Sequence, residues 1–379
     1  VNIAFVGTGF VADYYMTSLA NYPQLVLVGA YDHNAKRLNE FCHYYKVKAF
    51  SSFKEILADL SIDIVVNLTT PENHFHISSA ALNAGKHVYS EKPLAMEFND
   101  AAKLVELAKT KNLILAAAPA NALSDAHKLV QQNLQKIGQP RLVYAEMEDG
   151  PVFRDKWATW KSRSGAPWPG LHEFEIGCTL EHAGYALSWL VSLFGPVKTV
   201  NAFAAISFPD KGEGTEHIQM APDFTVGCLQ FHSGTIARVT CGLAMPRDRS
   251  LTIVGDHGSI TVDDLWDERS HIRLEKLGEK RSFMQRVLNQ IEPRFGKFIN
   301  FRPAPGKRLS YPKQTKDVKL PAFPSQIDFA RGIADMERAI SIGTKPFFSA
   351  DVALHITEVA LALNNANNHS QPYQVQSRF

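Results

Sequence analysis

The chain has 379 residues, 45% hydrophobic and 21% charged, with a formal net charge of +2; this balance excludes a disordered chain and gives no whole-protein electrostatic case for binding nucleic acid. No apolar run reaches the roughly 18 residues of a membrane-spanning helix, and Cys42, Cys178, Cys228 and Cys241 show neither a Cys-x-x-Cys pair nor zinc-ligand spacing. The length suits two domains of roughly 100 to 200 residues each. No metal and no structural disulfide is expected, and because the chain enters a strand at once, without a basic leader, the expected location is the cytoplasm.

Asn2 to Val6 reads as a strand running into Gly7-Thr8-Gly9-Phe10-Val11-Ala12, after which Val11, Tyr15 and Leu19 recur at helical spacing. G-x-G-x-x-A between strand and helix suits a dinucleotide. Gly7 makes the tight turn, Gly9 lets the backbone approach a pyrophosphate, Ala12 packs helix on strand, and the loop with Thr8, Phe10 and Val11 turns the helix N-terminus to the phosphates. A second strand, Leu25 to Tyr31, ends on Asp32, placed to bind the adenosine ribose hydroxyls and repel a 2′-phosphate. The reading is therefore NAD(H) over NADP(H), with Arg37 a turn further on as the counter-indication.

Asn34 caps a helix carrying Leu38, Phe41, Cys42 and Tyr45, and Ser52-x-x-Glu55 reads as a capping box. Asp63 to Leu68 is a buried strand leading into Thr69-Thr70-Pro71-Glu72-Asn73-His74. A helix from Glu72 to Ala84, a strand from His87 to Ser90, a helix from Asn99 to Lys111 and a strand from Leu113 to Ala118 complete the series. Such alternation implies a doubly wound parallel sheet with right-handed crossovers. In Glu91-Lys92-Pro93-Leu94, Pro93 drives Lys92 to extended backbone at a strand's carboxyl end, where a cation can steady negative charge on a substrate oxygen.

The set Gly7-x-Gly9-x-x-Ala12, Asp32, Thr70-Pro71-x-x-His74, Ala84-Gly85-Lys86-His87-Val88 and Glu91-Lys92-Pro93-Leu94 spans about 95 residues and resembles the glucose-fructose oxidoreductase, inositol dehydrogenase and rhizopine-catabolism (Gfo/Idh/MocA) oxidoreductases. The resemblance implies a Rossmann domain followed by an open, largely antiparallel sheet with helices. It also implies that Lys92 lies beside the nicotinamide and binds or polarises a sugar-like substrate, and that Thr69, Thr70, Pro71, His74 and Glu91 line the cofactor cleft. His74 has an equal alternative as a helix-capping or core histidine.

The domains are set at 1–121 and 122–379, joined by a helix from Ser124 to Ile137; Asn121, just after the last parallel strand, is placed to reach the cofactor. Arg141 to Glu148, Val200 to Ser207, Phe224 to Phe231 and Thr235 to Cys241 alternate with period two, and Leu251 to Gly255 meets Ser259 to Val262 through Asp256-His257-Gly258. On the helix from Cys178 to Leu193, Glu181, Tyr185 and Trp189 share a face, with His182 adjacent. The family's helix carries Asp-x-x-x-His; counting back from Leu193-Phe194-Gly195-Pro196 puts Glu181 at the aspartate and Tyr185 at the histidine. Lys92, Tyr185 and Glu181 are thus the expected catalytic set, with Tyr185 exchanging the proton and His182 as rival carrier. The bland alternative for Tyr185 is a core ring stacked on Trp189.

Trp157, Trp160 and Trp168 fall in the long loop from Asp149 to Ile176, and Trp168 is the expected substrate contact beside Lys92, Glu181 and Tyr185. From 269 to 319 there are 14 Lys and Arg against 4 Asp and Glu, read as a solvated, partly mobile excursion with an amphipathic piece from Phe283 to Ile291. Two helices, Ser325 to Ile342 and Ala350 to Asn367, close the chain. The expected function is NAD(H)-dependent hydride transfer at a hydroxyl or carbonyl carbon of a sugar, cyclitol or derivative, by a homo-oligomer, dimer or tetramer, with no nucleic-acid or membrane partner. An NAD-dependent glycoside hydrolase and a non-catalytic nucleotide sensor are the alternatives.

Overall fold

The computed structural model describes residues 1–278, 287, 290–291, 306–313, 318–322 and 326–379. Five parallel strands form the first sheet: β1 (Asn2–Val6), β2 (Val26–Tyr31), β3 (Ile64–Asn67), β4 (His87–Ser90) and β5 (Leu115–Ala117), in the order β2-β1-β3-β4-β5. β3 is buried along its whole length, as expected of a strand covered by helices on both faces. The covering helices are α1 (Ala12–Leu19), α2 (Ala35–Tyr45), α3 (Phe53–Ala58), α4 (Pro71–Asn83) and α5 (Phe98–Thr110). Local chemistry sets their starts: Asn34 accepts from the Arg37 N–H, Ser52 from Glu55, and Pro71 opens α4 at a position needing no donor.

A link through α6 (Asp125–Asn133) leads to nine strands: β6 (Pro140–Glu148), β7 (Val197–Ala205), β8 (Phe224–Phe231), β9 (Ile236–Gly242), β10 (Leu251–Gly255), β11 (Gly258–Val262), β12 (Ile272–Lys276), β13 (Lys307–Arg308) and β14 (Tyr373–Gln374). Their order is β13-β12-β11-β10-β6-β9-β8-β7-β14. The sheet is antiparallel except where β6 and β9 pair in parallel, a pairing that hairpin reasoning does not reach because those strands are brought together by the return of a long connection. That connection holds α7 (Gly170–Ile176), a one-to-two-turn helix hidden from the sequence by Pro167 and Pro169, and α8 (Cys178–Phe194). α8 is buried on nearly every side, as befits an apolar helix wedged between sheet and helices. The helix Ala350–Asn364 packs on α8, α5, β5 and β7 and so rivets the two halves, and Thr357 accepts from the Leu94 N–H just after Lys92.

The basic stretch is corrected in part. Residues 272–276 are an ordered strand with Ile272 and Leu274 buried and Arg273 and Glu275 turned outward, and 307–308 pairs beside it. Counting charge over fifty residues averaged away a period-two alternation. The piece from Phe283 to Ile291 lies outside the described residues except for 287, 290 and 291. The penultimate helix starts at Arg331, not Ser325.

Candidate active site

β1 lies between β2 and β3, and the chain leaves it first to one side and then to the other, so a crevice opens at the carboxyl ends of β1 and β3. Gly7 (φ +99°) turns the chain there, and a Cβ on it would lie 2.5 Å from the Leu68 carbonyl oxygen. A Cβ on Gly9 would meet nothing within 4 Å. α1 begins without a side-chain cap, leaving N–H groups for an anion. Asp32 Oδ2 accepts from the Thr8 N–H at 2.8 Å and from Thr8 Oγ1 at 3.0 Å, and Oδ1 accepts from Asn34 N–H at 2.8 Å. Open space over Gly9, uncapped N–H groups and a carboxylate at the end of β2 are what a dinucleotide's pyrophosphate and ribose require.

β4 delivers Glu91 and Lys92 to the same edge. Glu91 is held by Tyr15 Oη (2.7 Å) and by the Lys92 N–H (3.2 Å). His74, fully buried, spans Pro93 carbonyl (2.7 Å from Nδ1) and Thr69 carbonyl (3.0 Å from Nε2). It ties the turn carrying Lys92 to the end of β3. Thr69 Oγ1 donates to Asn67 at 2.6 Å, Thr70 stands exposed at the start of α4, and Pro71 is buried behind it. Phe10 and Val11 are partly exposed at the entry to α1, the Phe10 ring edge-on to Tyr14.

α8 brings the second half of the site. Lys92 Nζ lies 2.6 Å from Glu181 Oε2, with the two side chains only 13% and 17% exposed, and 5.9 Å from the Tyr185 ring centroid. The ring that packs on Tyr185 is Trp266, at 4.7 Å; Trp189 is buried against His127 instead. His182 Nε2 is 3.1 Å from Asp149 and 3.4 Å from Glu173, while its Nδ1 is buried without a partner among the described residues. Arg249 lies over Trp266 at 3.9 Å and pairs with Asp264 and Asp149. Asn121 is spent on the protein: its amide donates to the Tyr185 and Leu265 carbonyls and accepts from Ser188, fixing α8. Trp168 packs among Trp157, Trp160 and Phe174. A cavity of about 400 Å³ opens elsewhere, on the outer face of α1 between Phe10, Tyr14 and Trp160; Lys92, Glu181, Tyr185 and His182 do not line it, so it is not where the chemistry would occur.

Residues 1–118 match the oxidoreductase family model with an NAD-binding Rossmann fold, and residues 125–261 match the C-terminal domain model of the same family. The chain belongs to the Gfo/Idh/MocA oxidoreductase family. It is 29% identical to a scyllo-inositol 2-dehydrogenase (NADP(+)) of Bacillus subtilis over 57% of this chain and 65% of that protein. It is 24% identical to a trans-1,2-dihydrobenzene-1,2-diol dehydrogenase of Mus musculus over 75% of this chain and 80% of that protein. The crystal structure of an aldose-aldose oxidoreductase from Caulobacter crescentus superposes with a TM-score of 0.74 at 17% identity, covering 99% of both chains.

As a Gfo/Idh/MocA protein the chain is a nicotinamide-dinucleotide oxidoreductase, and its electrostatics bear on its departure from the family's helix motif. Burial is the largest single influence and disfavours the Lys92 cation, but Glu181, Tyr185 and Glu91 together outweigh it and hold the ammonium above its ordinary value. Burial likewise is the largest influence opposing the Glu181 carboxylate, and Lys92, aided by His182 and His172, outweighs it and pulls the carboxyl below its ordinary value. The pair is ionised at neutrality. For Tyr185 the balance goes the other way: burial raises the phenol well above its ordinary value, and Lys92 offsets only part of that. Burial also lowers His182 and, with repulsion from Glu181, raises Glu173. Trp266, Asp149, Glu173 and Arg249 were missed by sequence reasoning, since each meets its partners on a different element, from nine to a hundred positions away.

Proposed function

We propose that this oxidoreductase moves hydride between NAD(H) and a hydroxyl- or carbonyl-bearing carbon of a sugar, cyclitol or related polyol, residues 1–121 holding the dinucleotide and 122–379 the substrate. The observation that carries the reading is the ion pair of Lys92 with Glu181, beside the Tyr185 ring, at the edge where the dinucleotide crevice opens. Bound nicotinamide supplies the hydride donor or acceptor. Lys92 donates hydrogen bonds to the reacting oxygen and favours its negative charge. Glu181 keeps Lys92 charged and in place. Tyr185, protonated across the physiological range, gives its proton to the oxygen as a carbonyl is reduced, and a phenol with a raised pKa is better suited to that role than to abstraction. Thr69, Thr70 and Pro71 border the crevice on the β3 side, and Trp168 is proposed as a substrate contact. The names of the inositol and dihydrodiol dehydrogenases support a polyhydroxylated ring substrate. Asp32 supports NAD(H); the NADP(+) in one relative's name marks the competing choice.

The test is NADH formation or consumption against a panel of cyclitols, aldoses and their derivatives, with Tyr185→Phe compared to the unaltered protein. The variant should turn over roughly 10² to 10⁴ times more slowly with dinucleotide affinity unchanged; full activity on the true substrate would remove Tyr185 from the proton transfer. His182 has a claim of its own, because its buried Nδ1 has no partner among the described residues. If His182→Asn and not Tyr185→Phe abolishes turnover, the proton moves through the imidazole. The open face of the large sheet exposes Leu142 (41%), Phe203 (57%) and Ile236 (45%), with Leu142 and Ile236 side by side. This supports a homo-oligomer, dimer or tetramer, built on that face, and light scattering of Ile236→Lys checks it by loss of the assembly.

A further inference from the structure

Arg37 stands one turn beyond Asp32, where a guanidinium can pair with a ribose 2′-phosphate. Its side chain is instead drawn inward, and the residue is 9% exposed. Nε donates to the Thr8 carbonyl at 3.0 Å, and one terminal nitrogen donates to Glu40 at 2.7 Å and to the Ser164 carbonyl at 3.2 Å. The other donates to Ser164 Oγ at 2.6 Å. Of the five N–H groups of a guanidinium, four therefore have acceptors within the protein. Ser164 comes from the second domain, 127 positions further along the chain, and is itself anchored. Its N–H and hydroxyl donate to the two oxygens of Asp13, each at 2.8 Å, and Ser162 Oγ donates to the same carboxylate at 2.7 Å.

We propose that Ser164 sets the choice of dinucleotide: it draws Arg37 into the seam between the domains and so withholds from the adenosine ribose the cation that a 2′-phosphate would need. The clasp is built at the glycine-rich loop itself, because Thr8 is shared. Its carbonyl accepts from Arg37 while its N–H and hydroxyl hold Asp32. With Arg37 engaged, the ribose meets the Asp32 carboxylate without the guanidinium, and Asp32 repels the phosphate of NADP(H). Ser164 acts only through Arg37 and is a positioning residue. The inference rests on the NAD(H) reading given above.

The experiment compares the unaltered protein with Ser164→Ala, Ser164→Thr and Ser164→Ala/Arg37→Gln. Calorimetry gives the dissociation constants of NAD, NADP and 2′,5′-ADP, and steady-state kinetics give the NADP-to-NAD ratio of kcat/KM. Ser164→Ala should raise the NADP-to-NAD ratio about tenfold, as one charge-assisted phosphate contact would, and should tighten 2′,5′-ADP binding. Ser164→Thr, which keeps the hydroxyl, should retain the original ratio, and the double variant should lose the gain. Should Ser164→Ala fail to fold, Ser164→Cys, a weaker acceptor, makes the same test. Equal weakening of NAD and NADP with an unchanged ratio overturns the inference, as does a gain that survives in the double variant. A preference for NADP in the unaltered protein overturns the NAD(H) reading and the inference with it, whereas a preference for NAD that Ser164→Ala leaves untouched overturns the inference alone.

Discussion

Glu181→Gln removes one charge from a buried pair and leaves its partner in place, which makes it the sharpest perturbation of the site. At 2.6 Å and an effective dielectric constant of about 20, the attraction is about 332/(20 × 2.6), or roughly 6 kcal/mol. Part of this only offsets the desolvation of two ions, so the pair's net contribution is smaller, but breaking it strands Lys92. The stranded ammonium has an escape. Giving up its proton at pH 7 from an ordinary value of 10.5 costs about 1.36 × 3.5, or close to 5 kcal/mol, and this caps the penalty. The expected loss of stability is about 3 to 5 kcal/mol, the usual range for half-removal of a buried pair. The sign of its pH dependence follows from the depressed carboxyl. Glu181 stabilises the fold above about pH 4.5, its unfolded value, and loses that contribution as pH falls through the lower folded value, so the gap between the two proteins should narrow on acidification. With Glu181 gone, burial pulls Lys92 below its ordinary value, and the alkaline limb of the pH-rate profile should move to lower pH. Urea unfolding at pH 7 and pH 3.5, alongside the pH dependence of kcat, measures both. A loss under about 1 kcal/mol, the scale of exposed pairs, together with superimposable pH-rate profiles would refute a Lys92 charge maintained by Glu181.

Gly7 and Gly9 should separate fold from binding. Gly7→Ala drives a Cβ to 2.5 Å from Leu68 carbonyl at φ +99° and should cost soluble, folded protein, whereas Gly9→Val enters open space and should keep the melting temperature while abolishing NAD binding by calorimetry. His74→Ala should lose about 1 to 3 kcal/mol in urea unfolding, because burial keeps the imidazole neutral and the one carbonyl that its single N–H can serve, of Pro93 or Thr69, is left unpaired; unchanged stability with weakened dinucleotide binding would return His74 to the cofactor cleft. Burial first, then Asp149 and Asp248, pushes Glu148 up to about 7 from 4.5. Its contribution is full below about pH 4.5 and lost as pH rises through 7, a change on the order of 3 kcal/mol, so Glu148→Gln should flatten the decline of stability between pH 5 and 8.

The local structure around the crevice could be read from the chain because its determinants are neighbours in it. Asn2 to Ala12 contains strand, turn and helix start in eleven consecutive positions, Asn34 and Ser52 cap their own helices, and the strand from Ile64 to Asn67 declares its two-sided burial in four residues. Period two betrayed the strands of the second sheet up to Val262 in the same way, but not the strand from Ile272 to Lys276. Spacing also placed Glu181 and Tyr185 on one face of one helix. Only the tertiary structure could decide what that face meets. Lys92 and Glu181 are 89 positions apart, and their contact exists because β4 ends where α8 is laid by the packing of the two halves. The ring beside Tyr185, the carboxylates around His182 and the parallel meeting of β6 and β9 have the same origin. Protonation belongs to this second category above all. The sequence names the acid and its cation, but whether Lys92 or burial governs the Tyr185 phenol depends on how much water every surrounding segment excludes, and that is a sum over the whole fold.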